Sequence, residues 1–426
     1  MVVPQSVVNG PEAKTLREEL LANFEIAEVC LFPGKVFKFA EIETAVILGR
    51  RSMQRRHKGD NRVRLRTVGE HGIKAFQERY AVTHEIEVPQ NRFSENSGFE
   101  LTVPMLDEVW KALANNKHLG DVAKIGRGIE FKGEAARGGN PAFIDKATAG
   151  YVVGYSGMRR GQMIFEMPPE VGISLDKKLI KSAYMGMPTG RPQLLANMGR
   201  TSRTPWRIKA ILDVQGRPAK NNFVIIRPTS RAINPLYLWA ILNSPVASAY
   251  VASHTMRRHN YERFISDIPI PQASDKDVRE VVRLATNYRE IALNLVAKNR
   301  RDPKHVAAQQ PLFDSPPQER TFATSETAVR EALLALDAAV LRLYRLPMRL
   351  ERELLEFFSG HERRGTACVF GNYFPADFES LMPLYKYISS SYRNSTPERI
   401  GKNLGPIDPT VSAALRAATT AFGGDE

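Results

Sequence analysis

Cysteine is nearly absent: Cys30 and Cys368 are the only two in 426 residues. Two thiols so far apart make neither a disulfide framework nor a thiolate metal site, and the compartment implied is a reducing cytoplasm. Long apolar runs are missing too, none approaching the ~20 residues that span a bilayer. The opening MVVPQSVVNG has no basic n-region and no apolar core of a secretory signal, so no membrane partner is expected. None of the eight histidines stands at metal-ligand spacing; His254 and His259 are five apart and share no helical face with a carboxylate, so no metal is expected. Acid is the last shortage, with 46 Asp and Glu against 60 Lys and Arg, a net charge of +14.

That excess is concentrated. Residues Arg50 to Arg66 hold eight bases (Arg50, Arg51, Arg55, Arg56, Lys58, Arg62, Arg64, Arg66) against one acid, Asp60. Residues Arg191 to Arg231 hold nine bases, among them Arg200, Arg203, Arg207 and Lys209, against Asp213. A charge run by itself reads as a solvated face. Two windows that carry the whole excess read as a surface tracking phosphates, where each neutralised phosphate releases counterions. Neither window has large apolar residues on an opposite face, which sets nucleic acid ahead of a lipid surface.

A third basic group lies inside LYLWAILNSPVASAYVASHTMRRHNYERFISDIPIPQ, residues 236–272. Leu238, Ile241, Leu242, Val246, Tyr250 and Val251 recur at three- and four-residue steps, which predicts one helix with a buried face. Asn234 before Pro235 reads as its cap and first turn. His254 to Arg263 then gathers Arg257, Arg258, Asn260 and Arg263 around Tyr261, a donor-rich loop with an aromatic in it. Ile265 to Pro271 reads as stiff and extended.

The order and spacing from Leu242-Asn243-Ser244 to Ile268-Pro269-Ile270-Pro271 resembles the LNS…IPIP signature of bacterial DNA target-recognition domains. These occur in type I specificity subunits and at the C-terminal end of adenine-N6 DNA methyltransferases of restriction-modification systems. A second segment, VVPQSVVNGPEAKTLREELLANFEIAEVCLFPGKVFKFAEIETAVILGR, resembles the last part of the catalytic domain of those methyltransferases. Its residues read as a short apolar piece ending at Pro4, a helix over Glu12 to Phe24, and strands over Ile26 to Phe32 and Ile42 to Leu48 joined through a Pro-Gly turn. By residue type alone Phe37 and Phe39 read as packing at a strand end. The resemblance instead makes Phe37 the aromatic that stacks on an adenine flipped from the duplex.

Within that resemblance, the S-adenosylmethionine glycine loop and the Asn/Asp-Pro-Pro-Tyr/Phe motif are missing as such. GRGIEFKG (Gly126, Gly128, Gly133) lacks the GxGxxG spacing. NPLY opens the helix at Asn234, which reads as a cap and not as a catalytic residue. The chain therefore reads as a methyltransferase whose catalytic core has been lost, assigned elsewhere or encoded separately. It is expected to bind no cofactor itself, with S-adenosylmethionine belonging to the complete enzyme.

The expected fold is α+β: a remnant of a methyltransferase α/β sheet over 1–66, a connector over 67–119, a mixed α/β target-recognition domain over 120–272, and a helical C-terminal region. In the last, Asp275 to Lys298 and Glu326 to Tyr344 carry coiled-coil-like stripes and are expected to pack antiparallel across a disordered Pro/Gln-rich linker, 302–320. Residues 346–426 form an aromatic-rich, partly disordered tail. The expected function is sequence-specific recognition of double-stranded DNA within a site-specific adenine-N6 methyltransferase. The expected contacts are Arg50, Arg51, Arg55, Arg56, Arg200, Arg203, Arg207, Lys209, Arg257, Arg258, Asn260 and Arg263, and no catalytic residue is expected in this chain. The alternative is a non-catalytic specificity or partner subunit that docks on a separate methyltransferase polypeptide, using the sheet edge of residues 1–50.

Overall fold

Period-two patterning builds the first of two compact units, Met1–Asp107 and Glu108–Glu426, in the computed structural model. The structure describes residues 1–34, 36–37, 42–51, 61–69, 72–95, 97–133, 142–159, 161–200, 204–255, 259–301, 323–359, 361–367 and 383–389. In the first unit β1 (Val2–Pro4), α1 (Gln5–Asn9) and α2 (Lys14–Asn23) precede β2 (Phe24–Phe32), β3 (Thr44–Arg51) and β4 (Arg62–Thr67). After α3 (Ile73–Arg79) comes β5 (His84–Pro89), and the sheet order is β1-β3-β2-β4-β5. All pairs are antiparallel except β2–β4. Val29, Ile47, Val63 and Leu65 turn to the core with Val8, Leu20 and Phe93. The sheet runs past the boundary expected at residue 66, because β4 finds its second partner in β5.

Side chains satisfy what the strands leave open. Arg17, 1% exposed, donates to the carbonyls of Val7, Gly10, Gly98 and Phe99. Gln90, also buried, accepts from the Ile26 N–H at 2.9 Å and donates to the Phe24 carbonyl at 2.9 Å. Both are buried polar groups with partners supplied, the condition for tolerating them in a core.

The second unit begins with α4 (Asp107–Leu113), β6 (Lys117–His118) and α5 (Leu119–Val122), then β7 (Ala123–Arg127) and β8 (Glu130–Phe131). Further strands are β9 (Phe143–Ile144), β10 (Val152–Tyr155), β11 (Glu170–Ile173), β12 (Ile180–Ser182), β13 (Gln193–Asn197), β14 (Ala210–Asp213) and β15 (Phe223–Pro228). The central antiparallel sheet has the order β14-β13-β15-β7, with β10-β11-β9 and β12-β8 as smaller sheets. Gly128 lies where a Cβ would meet the Lys220 carbonyl oxygen at 2.1 Å, so this glycine allows close backbone approach.

The helix expected over 236–251 is two. α6 (Pro235–Leu242) ends at Asn243 and α7 (Pro245–His254) starts from Ser244, which accepts from the Ala247 N–H. Pro245 has no N–H to continue α6, yet suits the first turn of a new helix. Asn234 caps α6, accepting from Leu236 and Tyr237. Ile265 belongs to α8 (Glu262–Ser266), and only Pro269–Ile270 (β16) is extended, paired with β6. α9 (Asp275–Arg301) packs on α10 (Ala323–Tyr344), and the 3.7 Å pair between Arg342, late in α10, and Asp277, early in α9, makes them antiparallel. α11 (Met348–Glu356) and α12 (Leu384–Tyr387) follow, so the fold is mixed α+β with a helical C-terminal region. The linker 302–320 lies outside the described residues, as do 368–382 and 390–426 in the tail.

Candidate nucleic-acid interface

Two backbone stretches carry arginines singled out by the sequence, one after Met198 and one after Thr255, and they meet. Gly199 and His259 form an antiparallel bridge, and the Asn260 N–H donates to the Met198 carbonyl at 2.7 Å. A buried amide network fixes the junction. Asn197, at the end of β13, donates to the carbonyls of Gly199 (2.8 Å) and Arg207 (3.0 Å) and accepts from the Lys209 N–H (2.7 Å). Asn260, fully buried, donates to the Asn197 and Arg207 carbonyls and accepts from Arg207 Nε at 2.9 Å. Arg207 Nη1 donates onward to the Thr255 carbonyl at 2.8 Å. The roots of both loops are thus tied into one buried frame.

This corrects the exposure expected for three residues. Arg207, Lys209 and Asn260 were expected on an exposed DNA surface, yet all are 7% exposed or less. Arg207 and Asn260 turn into the frame, while Lys209 borders a cleft. Most of the donors of Arg207 and Asn260 shown here go to carbonyls that would otherwise be orphaned in the core, which is the strongest local demand on them. Arg200 stands at the junction, half-buried, and Arg263 is exposed, its guanidinium 4.4 Å from the Phe264 ring. Arg203, Arg257 and Arg258 lie outside the described residues. Tyr261 packs against Arg127, which is paired bidentately with Glu262.

Beside the junction opens a cleft of about 470 Å³. Arg159, Arg200, Lys209 and Arg364 line it, with the amides of Asn197 and Asn222. Arg159 is paired with the largely buried Glu166 at 2.8 Å and Arg364 with the more exposed Glu362 at 2.8 Å. Lys209 donates from Nζ to the Gln162 carbonyl at 3.2 Å and has no carboxylate partner among the described residues. Burial, with Arg364 nearby, pushes its ammonium down to about 8. Gly365 runs directly over it: at φ +90°, a Cβ there would meet Lys209 Nζ at 2.8 Å. Sequence reading missed Arg159 and Arg364. The only local signals are two Arg pairs beside glycine, GMRRG and ERRGT.

Three more bases of the second window are engaged within the chain, while Arg191 and Arg231 are exposed. Arg217 pairs with Glu170, Arg227 donates to Gln193 and the Met187 carbonyl, and Lys220 sits 3.5 Å above the Phe143 ring. Trp206 is buried against Phe358 and Arg363.

In the first unit, the alternation Arg62-Val63-Arg64-Leu65-Arg66 puts the arginines on the sheet face opposite the core. There Arg66 pairs with Glu28 (3.4 Å) and Glu85 (2.9 Å), and Arg64 with Glu85 (3.5 Å) and Glu87 (3.7 Å). Arg50 pairs with Glu25 at 2.7 Å. Glutamates distant in sequence neutralise much of a window that looked almost purely basic. Arg51 is exposed and has no partner among the described residues, and Arg55 and Arg56 lie outside them. The Phe37 ring, 41% exposed, meets Phe32 edge-on at 6.1 Å.

No protein-family model and no curated protein matches the chain. Among the solved structures that resemble it in part are two restriction-modification enzymes. The type IIL restriction-modification enzyme MmeI, in complex with DNA, has a TM-score of 0.42 at 10% identity, covering 84% of this chain and 49% of that one. The type IIG restriction endonuclease BpuSI has a TM-score of 0.31 at 12% identity, covering 80% and 47%. The chain spans about half the length of either. Among the described residues no helix is long and apolar enough to cross a membrane.

Proposed function

We propose that this chain is a DNA-binding recognition module, gripping duplex DNA where the loops rooted at Gly199 and His259 converge. The observation that carries this reading is the junction itself. Two arginine-bearing segments some sixty residues apart are brought to one place by a buried frame of Asn197, Arg207 and Asn260. Loops held on a rigid base are how a recognition surface is presented. Arg200, Arg203, Arg257, Arg258 and Arg263 are its contacts, and Arg51, Arg55 and Arg56 are phosphate contacts of the first unit in their own right.

More finely, the module serves a site-specific adenine-N6 DNA methyltransferase of restriction-modification type. In this reading the methyl transfer belongs to a catalytic core outside this sequence, and the close approach of the Lys220 backbone to Gly128 supports a packing role for that glycine. Phe37, 41% exposed, is the ring offered to a flipped base. β1 is an edge strand with Met1 and Val2 exposed, an edge able to dock such a core.

The test is fluorescence anisotropy of the whole chain with a mixed-sequence duplex across a salt series. We expect affinity to fall linearly on a log–log plot. Absence of binding, or binding indifferent to salt, overturns the reading.

A further inference from the structure

Charged side chains are rarely buried without a partner of opposite sign, because losing water penalises the charge. Lys209 is such a case. It follows Ile208 into β14, its backbone N–H is fixed by Asn197, and its side chain is 7% exposed. Its ammonium meets one backbone carbonyl, that of Gln162, and faces Arg364 and the Gly365 backbone. The cleft side holds Arg159 and Arg200, further cations. A methionine would fill the same volume at no electrostatic cost. The residue is therefore badly placed for stability and well placed for an anion.

The remaining lining fits that anion. The Asn197 and Asn222 amides border the cleft, although both Asn197 donor hydrogens already serve carbonyls. Glycines 157, 161 and 199 leave parts of its wall as bare backbone. Glu166 pairs with Arg159 and Glu362 with Arg364, and neither glutamate belongs to the lining of the cleft. At about 470 Å³ the space is larger than one phosphate needs and is of nucleotide size.

The geometry points to a phosphate socket: the cleft seats one phosphate of a nucleic-acid strand, with Lys209 as the fixed charge on its floor and Arg159, Arg200 and Arg364 at its rim. This rests on the DNA-binding reading above and assigns it a specific anchoring point. Binding here is independent of base identity, so the socket sets register along the strand while the neighbouring loops read sequence.

The experiment compares the whole wild-type chain with Lys209→Met and, because a core substitution can disturb folding, with Arg364→Ala, whose side chain is 66% exposed. Duplex affinity is measured across a salt series, and inorganic phosphate is titrated separately by thermal shift. We expect both variants to bind the duplex more weakly, each with a log–log salt slope shallower by about 0.9, and to lose the wild type's phosphate-induced shift. If the wild type binds duplex and both folded variants keep its slope, the socket is refuted while the DNA reading stands. If the wild type binds no duplex but inorganic phosphate stabilises it and not the variants, the socket stands as a site for a free phosphoryl ligand and the DNA reading fails. If neither ligand binds, both fail.

Discussion

Lys209 shows how burial alone can decide a residue's chemistry. Its folded-state ammonium is lowered to about 8 from an ordinary 10.5, so between those values the unfolded chain binds more protons than the folded one. Stability from this group therefore rises as pH climbs through that window, and below pH 8 the full penalty is carried. Lys209→Met is expected to raise stability near neutral pH by up to roughly 3 kcal/mol and to abolish the alkaline gain. Urea denaturation at pH 7 and pH 10 measures both, and a variant less stable than wild type at pH 7 would contradict the assignment. Asn260 and Arg207 teach the complementary point. Their sequence advertises donors but not direction, and the nearby carbonyls of Asn197 and Thr255 claim those donors before any ligand can.

At the scale of elements, the break between α6 and α7 organises the second unit. Asn243 closes α6, and its side chain reaches β14, the edge strand of the central sheet. Nδ2 donates to the Ala210 carbonyl at 2.9 Å, and Oδ1 accepts from the Ala210 N–H at 3.0 Å. A carboxamide carries both a donor and an acceptor, so it can stand in for a missing neighbour strand. Its carbonyl also receives Arg363, whose buried pair with Asp337 ties the segment 361–367 to α10. Asn243→Ala leaves two buried backbone groups of Ala210 unsatisfied and should cost about 3 kcal/mol. Chemical denaturation reads this directly, and a loss under 1 kcal/mol would show that the sheet edge does not depend on it. The helical spacing of 236–251 concealed the break, since both helices are buried almost all round and a single periodic stripe runs through them.

For the whole molecule, net charge and usable charge part company. In the first unit the window 50–66 meets Glu25, Glu28, Glu85 and Glu87 across the sheet, pairs that contribute little to stability at their exposure but cancel the local field. In the second unit several bases are enclosed or paired, and an acid-free buried charge persists at the cleft beside Arg200. Replacing Arg64 and Arg66 together by Gln is expected to leave duplex affinity and its salt slope unchanged, whereas Arg200→Gln weakens binding and flattens the slope. Titration of the variants against one labelled duplex separates these outcomes, and an equal loss from both would return the phosphate-tracking role to the sheet face.

The sequence by itself determined the strands and helices wherever a pattern repeats locally. The β2–β3 hairpin, the cap at Asn234 and the apolar stripes of α9 and α10 all follow from spacing between neighbours, which is a short-range property. It also determined that positive charge outweighs negative. Which cations face outward, which pin loop roots and which glutamates cancel them was decided only by tertiary structure, because those partners are separated by tens of residues and a side chain's direction depends on what packs beside it. Lys209 and Arg364, more than 150 residues apart, have no signal in common until the fold sets them beside the same cleft.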